Sequence, residues 1–280
     1  MNSVPRVGVP AALVTAVASL NPPQETLAEI GQLLREVIGR YVRQAPGAVT
    51  MDGLSGLTED QLRCFTLNAL ATAGRLLSQD REGVLCREVR DRGEDRQGLR
   101  FSESRAAAAM HTDGMHMPDQ VVPDVFTLTC VRTAASGGEL SLVHVDDVLA
   151  VLPNRDQVVE VLGEPVHFAT RGIDPAGRRT VLRRVLAPVD DGWVVTYARD
   201  YIDEGHRQTD VPPLAREQVA ALDSLDAALE RSLRISYRQQ AGELLIVDNR
   251  RMLHGRSAYA DAALPGRLLL RTWLSTQETS

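Results

Sequence analysis

The sequence predicts an α+β fold built around a sheet. Three observations carry this expectation. Helix-period segments crowd the N-terminal third, short β-branched runs fill the chain from about Arg100 onward, and one long amphipathic helix interrupts those runs. No internal repeat, low-complexity tract or linker divides the 280 residues. The chain is therefore read as a single domain, 1–280, with a helical N-terminal part over 1–99 and a sheet core over 100–280.

The elements follow in order. "PQETLAEIGQLLREVIGRYVRQ" (23–44) has apolar residues at Leu27, Ile30, Leu33, Leu34, Val37, Ile38 and Tyr41, one stripe of a helix. Thr58 and Gln61 form a capping-box pattern ahead of a helix over 59–71. "GVLCREV" (83–89) is β-like, and "DRGEDRQG" (91–98) is a polar loop. Strands are expected at 125–133, 139–145, 178–189, 192–198, 234–239, 243–249 and 267–276, bounded by Gly, Pro, Asp or Asn. "PPLAREQVAALDSLDAALERSLR" (212–234) is the inserted helix, its prolines placed where a helix start tolerates them.

Composition prunes the chemistry. The net charge of −6 argues against a general nucleic-acid binder. All 31 basic residues are arginine, so lysine Schiff-base chemistry and a GK[ST] phosphate loop are both excluded. Cys64, Cys86 and Cys130 form no CxxC pair and suit reduced thiols in a cytoplasmic protein. "VPAALVTAVASL" (9–20) imitates a signal peptide, but prolines interrupt the region and Arg6 alone supplies positive charge. No apolar run approaches the ~20 residues of a membrane helix.

"MHTDGMHM" (110–117) offers an H-x-D pair, His111 and Asp113. In an extended segment residues i and i+2 point to one side, so both can meet one cation. Two histidines and a carboxylate on one face leave positions open and suit non-haem Fe(II). A second pair, His144 and Asp146, competes by pattern, but it runs from a strand into "VLAVL", a helix start where aspartate is a good cap. His116, between Met115 and Met117, is a spare ligand by pattern, but a role supporting the ligands or facing substrate suits it better. The third ligand must come from the remaining histidines, of which His167 reads as strand and His206 as solvated loop. His254 lies where the strand "ELLIVDN" runs into a loop, "RRMLHGR".

"GELLIVDNRRMLHGRSAY" followed by "GRLLLRTWL" resembles the Fe(II)/2-oxoglutarate dioxygenases of the TauD/TfdA-like kind, which includes taurine dioxygenase and γ-butyrobetaine hydroxylase. The order of elements is similar from about Arg100 to the C-terminus. The resemblance implies a double-stranded β-helix (jelly roll) core with flanking N-terminal helices and a helical insertion. It implies His111, Asp113 and His254 as iron ligands, Arg267 as the partner of the far carboxylate of 2-oxoglutarate, and Arg271 as a substrate-binding residue. The physical case for the arginines is independent. A guanidinium is a forked donor matched to a carboxylate, and two in the apolar strand "RLLLRTWL" are costly if merely buried. The family's usual Ser or Thr after a "GG" pair is replaced by Leu140 in "SGGELSL" (136–142), leaving Ser141 or Thr129 as cosubstrate-binding substitutes.

The resemblance also implies the reaction: Fe(II), 2-oxoglutarate and O2 oxidise a substrate with release of succinate and CO2. Arg271 and the loop "MHMPDQVVPD" (115–124) point to a small polar metabolite carrying an anion, such as an amino acid or natural-product intermediate, and desaturation, epoxidation or ring formation would leave the motifs the same as hydroxylation. An aspartate at 113 favours hydroxylation over halogenation, since the family's halogenases lack that carboxylate. The expected partner is a small-molecule substrate, with no nucleic acid and no membrane, and self-association stays open. Two rivals remain. A zinc-type hydrolase with the same ligands would have no use for Arg267, and a non-catalytic binding protein of the same fold would not need all three ligands.

Overall fold

The computed structural model describes residues 3–93, 101–118, 122–174 and 176–276. In chain order the elements begin β1 (Arg6–Gly8), α1 (Ala11–Val17), α2 (Gln24–Val37), β2 (Ala48–Asp52), α3 (Glu59–Ala71), β3 (Arg75–Leu77), β4 (Cys86–Val89), β5 (Ala108–His111), β6 (Val125–Arg132), β7 (Ser136–Gly137) and β8 (Leu140–His144). Next come α4 (Val145–Val151), α5 (Arg155–Leu162), β9 (Pro165–Ala169), β10 (Thr180–Arg184), β11 (Leu186–Val189), β12 (Gly192–Val195), α6 (Arg199–Gly205) and α7 (Arg216–Arg231). The chain closes with β13 (Ile235–Tyr237), β14 (Leu244–Asp248), β15 (Met252–Arg256), β16 (Tyr259–Ala260) and β17 (Leu268–Ser275).

Two sheets form the jelly roll. The larger runs β1-β2-β14-β6-β17-β3, with β4 also paired to β17, and the smaller runs β13-β8-β15-β5. Side-chain alternation assigns the faces. In β14, Leu244 and Ile246 pack under α1–α3 with Ile30, Leu34, Phe65 and Leu70. Leu245 and Val247 face the smaller sheet, where they join Phe126, Leu128, Leu140, Leu142, Met252 and Trp273. Each such fully buried side chain contributes about 1.5–3 kcal/mol of burial.

The helix over Glu59–Ala71 starts at the expected capping box, Thr58 accepting from Gln61 N–H and Gln61 from Thr58 N–H. The expected helix over 23–44 ends as an α-helix at Val37 and continues as a π-turn over Ile38–Val42. The leader-like segment is α1, with Leu13, Val14 and Val17 buried in the helical layer.

Two expectations need correction. Residues 1–99 are not simply helical, because β1–β4 join the same sheet as β6, β14 and β17. These strands are only three to five residues long, too short for a clear period-two signal. The single strand expected at 178–189 is two strands of different hairpins, β10 with β9 and β11 with β12. Val185 between them is fully buried in the core of the insertion formed by α4–α7. Much of the polar segment 91–98 lies outside the described residues.

Candidate metal centre

Strand pairing brings the two histidines together. β15 runs antiparallel to β5 with His254 directly opposite His111, and their ring centroids are 4.2 Å apart. His111 Nδ1 lies 2.8 Å from the Ala109 carbonyl oxygen. A carbonyl can only accept, so Nδ1 carries the hydrogen and Nε2 presents its lone pair. That Nε2 is 3.9 Å from Asp113 Oδ1. Donor atoms of His111, Asp113 and His254 all lie within 4.8 Å of one another.

The turn carrying Asp113 is fixed from two sides. Thr112 N–H donates to the Tyr197 carbonyl (2.8 Å), and Tyr197 N–H donates to Thr112 Oγ1 (3.0 Å). Asp113 N–H donates to Asn249 Oδ1 (2.8 Å), while Asn249 Nδ2 donates to the carbonyls of Asp113 and Pro123, each at 2.9 Å. Gly114 has φ +77°, and a Cβ there would meet Pro123 Cδ at 2.4 Å. Gly114→Ala should therefore destabilise the protein by about 1–3 kcal/mol. Denaturant melts of the metal-free variant check this, and a stability equal to wild type would contradict it.

The carboxylate is oriented before any metal arrives. Arg271 Nη1 donates to Asp113 Oδ1 and Trp273 Nε1 to Oδ2, both at 2.9 Å. Burial pushes the Asp113 carboxyl up, but the charge of Arg271, the two histidines and the Trp273 hydrogen bond outweigh it and hold the group at about 2. Burial, then the neighbouring His111, pushes His254 down to about 3. The neutral imidazole and ionised carboxylate are the forms that bind a cation. His254 Nδ1 is moreover buried with no partner among the described residues. The donor set and its charge state fit a two-histidine, one-carboxylate face for Fe(II).

The three donors open onto a cavity of about 100 Å³ that Arg267, Arg271, His116, Tyr201 and Trp273 also line. Arg267 is 5% exposed, and its Nη1 is buried without a hydrogen-bond partner. Burial pushes its pKa down. Arg271 is engaged by Gln79 Oε1 (2.8 Å) as well as Asp113. His116 stacks on Tyr201 with ring centroids 5.3 Å apart and meets Trp273 edge-on at 6.4 Å. Met115 Sδ lies 3.4 Å from His116 Nδ1, whereas Met117 is buried between the sheets.

Ser141 and Thr129 are not brought to this cavity. Leu140 and Leu142 take the inward positions of β8, so Ser141 points outward into a separate surface groove. Thr129 faces the helical layer, its Oγ1 2.7 Å from Thr66 Oγ1. His144, not Asp146, caps α4 by accepting from Asp146 N–H. His206 lies half-buried in the turn after α6, its Nε2 accepting from His167 N–H at 3.0 Å. Sequence reasoning missed Gln79, Asn249 and Trp273. For Trp273 a signal existed, because it shares strand parity with Arg271.

The sequence profile described as "Taurine catabolism dioxygenase TauD, TfdA family" matches residues 17–273. FR-33289 synthase of Streptomyces rubellomurinus is 24% identical over 73% of this chain and 61% of its own length. Uridine-5'-phosphate dioxygenase of a Streptomyces species is 30% identical over 70% of this chain and 71% of its own. Human gamma-butyrobetaine dioxygenase is 28% identical over 54% of this chain and 40% of its own, so the chain spans well under two thirds of some of these relatives. Among solved structures, asparagine oxygenase in complex with Fe(II), 2S,3S-3-hydroxyasparagine and succinate superposes with a TM-score of 0.73, at 18% identity, over 97% of this chain and 93% of that one. The non-heme iron oxygenase OrfP with Fe and alpha-ketoglutaric acid gives a TM-score of 0.70 at 18% identity, over 98% of this chain and 95% of that one. With a profile match that runs from α1 into the last strand, the chain belongs to the TauD/TfdA dioxygenase family.

Proposed function

We propose that this protein is an Fe(II)- and 2-oxoglutarate-dependent hydroxylase of a small metabolite carrying a carboxylate, an amino acid or a natural-product intermediate. The observation that carries the reading is Arg267, a guanidinium buried beside a two-histidine, one-carboxylate cluster with a donor that no described residue satisfies. A zinc hydrolase would leave that cation without a purpose.

His111, Asp113 and His254 would hold the iron, and Arg267 the far carboxylate of 2-oxoglutarate. Together iron and cosubstrate supply the oxidising chemistry: one O2 converts 2-oxoglutarate to succinate and CO2 and delivers its second oxygen atom to a substrate C–H bond, giving C–OH. The residues around them orient and shelter. Trp273 and Arg271 fix the plane of the Asp113 carboxylate, and Asn249 fixes the backbone that carries it. Phe126, Leu128, Leu140 and Leu269 line the cavity and exclude water from it. Arg271 presents a cation between the metal cluster and the aromatic wall of His116, Tyr201 and Trp273, which supports a carboxylate-bearing substrate. Asparagine oxygenase and OrfP, whose complexes hold hydroxylated amino acids, support the same class. The free cysteines support a cytoplasmic location, and no helix of the described residues is long and apolar enough to cross a membrane.

A succinate-release screen over amino acids and small acids tests the reading. Turnover should require Fe(II), 2-oxoglutarate and a carboxylate on the substrate. Arg271→Gln should raise KM for that substrate about tenfold or more at saturating iron, and weaken iron binding by roughly 10–100-fold through the loosened Asp113. An unchanged KM would remove Arg271 from the substrate site.

A further inference from the structure

Neither hydroxyl expected to help Arg267 reaches the cavity, yet a second buried cation lines it. Arg256 extends from β15 on the same face as His254 and lines the cavity with Arg267. It is 7% exposed, and its Nε is buried without a partner, as is Arg267 Nη1. Among the described residues neither guanidinium has an ion pair. The ring of Tyr259 lies against both, its centroid 4.8 Å from Arg256 Cζ and 5.0 Å from Arg267 Cζ. The Tyr259 hydroxyl is buried there too, without a well-formed hydrogen bond.

The surroundings hold this cluster in place. Arg256 Nη2 donates to the carbonyls of Ser104 (3.0 Å) and Ala106, which fixes the guanidinium and leaves Nε for another acceptor. The "GG" pair supplies closeness instead of a hydroxyl. A Cβ on Gly137 would strike the Ala258 carbonyl at 2.1 Å, and Gly138, at φ +77°, brings the backbone to within contact of Arg267 Nε and Tyr259 Cβ. Two like charges gathered in a poorly hydrated space are costly unless an anion offsets them.

We infer that Arg256 is the second cation of the far-carboxylate subsite, so that 2-oxoglutarate is gripped by an arginine pair, Arg267 and Arg256, set against the Tyr259 ring, in place of an arginine and a hydroxyl. This assignment rests on the 2-oxoglutarate reading of Arg267. One carboxylate has about four lone-pair positions, enough for donors from both guanidinium groups. Arg256 is a binding residue of the cosubstrate, and it acts on the end of that molecule remote from the metal.

The test compares two 2-oxo acids of equal chain length. Isothermal titration of oxygen-free, Fe(II)-loaded protein measures Kd for 2-oxoglutarate and for 2-oxopentanoate, which lacks the far carboxylate. Arg256→Gln should weaken 2-oxoglutarate about 10–100-fold and leave 2-oxopentanoate within about twofold. Arg256→Lys, which keeps the charge, should recover part of the preference. Equal weakening of both acids, as a misfolded variant would give, overturns the inference, and so does an unchanged 2-oxoglutarate Kd. Arg267→Ala separates the two readings. If it abolishes the preference while Arg256→Gln does not, only the role of Arg256 falls. If wild-type protein shows no preference for 2-oxoglutarate, both fall.

Discussion

His254→Ala is expected to abolish turnover and to remove the weak visible absorption that Fe(II) and 2-oxoglutarate produce together in oxygen-free protein. The imidazole is one of three donors gathered within 4.8 Å, and no other histidine of the described residues lies in that group. Loss of a supporting partner alone typically costs 10–100-fold in metal affinity, so loss of a ligand should exceed about a hundredfold. The fold should survive. His254 is buried between Phe126 and His111, and alanine leaves a small cavity that costs about 2–4 kcal/mol. Circular dichroism and thermal melting separate the two effects. A well-folded His254→Ala variant that still forms the coloured complex would remove the metal assignment.

Arg267→Met should have opposite effects on ligand binding and on stability. Truncating one side of a buried charge pair costs about 2–5 kcal/mol, so Kd for 2-oxoglutarate should rise by roughly thirtyfold to several thousandfold. The ligand-free protein should not suffer. Arg267 is buried with an unsatisfied donor, and the Tyr259 ring lies against both it and Arg256, so two like charges share one apolar space. A hydrophobic side chain of similar volume is often neutral or stabilising by 1–4 kcal/mol at such a site, and Tm should stay level or rise by a few degrees. Melting curves with and without 2-oxoglutarate check both halves. A variant that melts well below wild type yet keeps its 2-oxoglutarate-induced shift would contradict the role given to Arg267.

Parts of the site were legible because they depend on local pattern. His111 and Asp113 stand two apart beside a glycine that the turn needs, and that spacing is visible without a fold. Arg267, just ahead of β17, and Arg271 within it share a parity by alternation alone, and both do line the cavity. The hydroxyl partner was not legible. Ser141 and Leu140 differ by one position, and a one-residue shift swaps faces, so only the observed pairing of β8 with β15 decides that leucine points inward. The capping of α4 by His144 was equally hidden, since histidine and aspartate are both polar candidates at that junction. Asn249 follows the same rule. Its amide spans the 2.8–2.9 Å contacts to Asp113 and Pro123 across more than a hundred residues of chain, a distance over which sequence carries no geometric signal.

By itself the sequence determined the α+β class, the capping-box helix, the H-x-D pair of His111 and Asp113 and the exclusion of lysine chemistry. Each depends on periodicity, spacing or composition, which are properties of neighbours along the chain. Only the tertiary structure decided that β1–β4 complete the larger sheet, that Trp273 and Arg271 hold the Asp113 carboxylate from both sides, and that Arg256 and Arg267 line one cavity with the Tyr259 ring against both. Those facts depend on strand register and on which buried donors find acceptors, and both are settled only when distant segments pack.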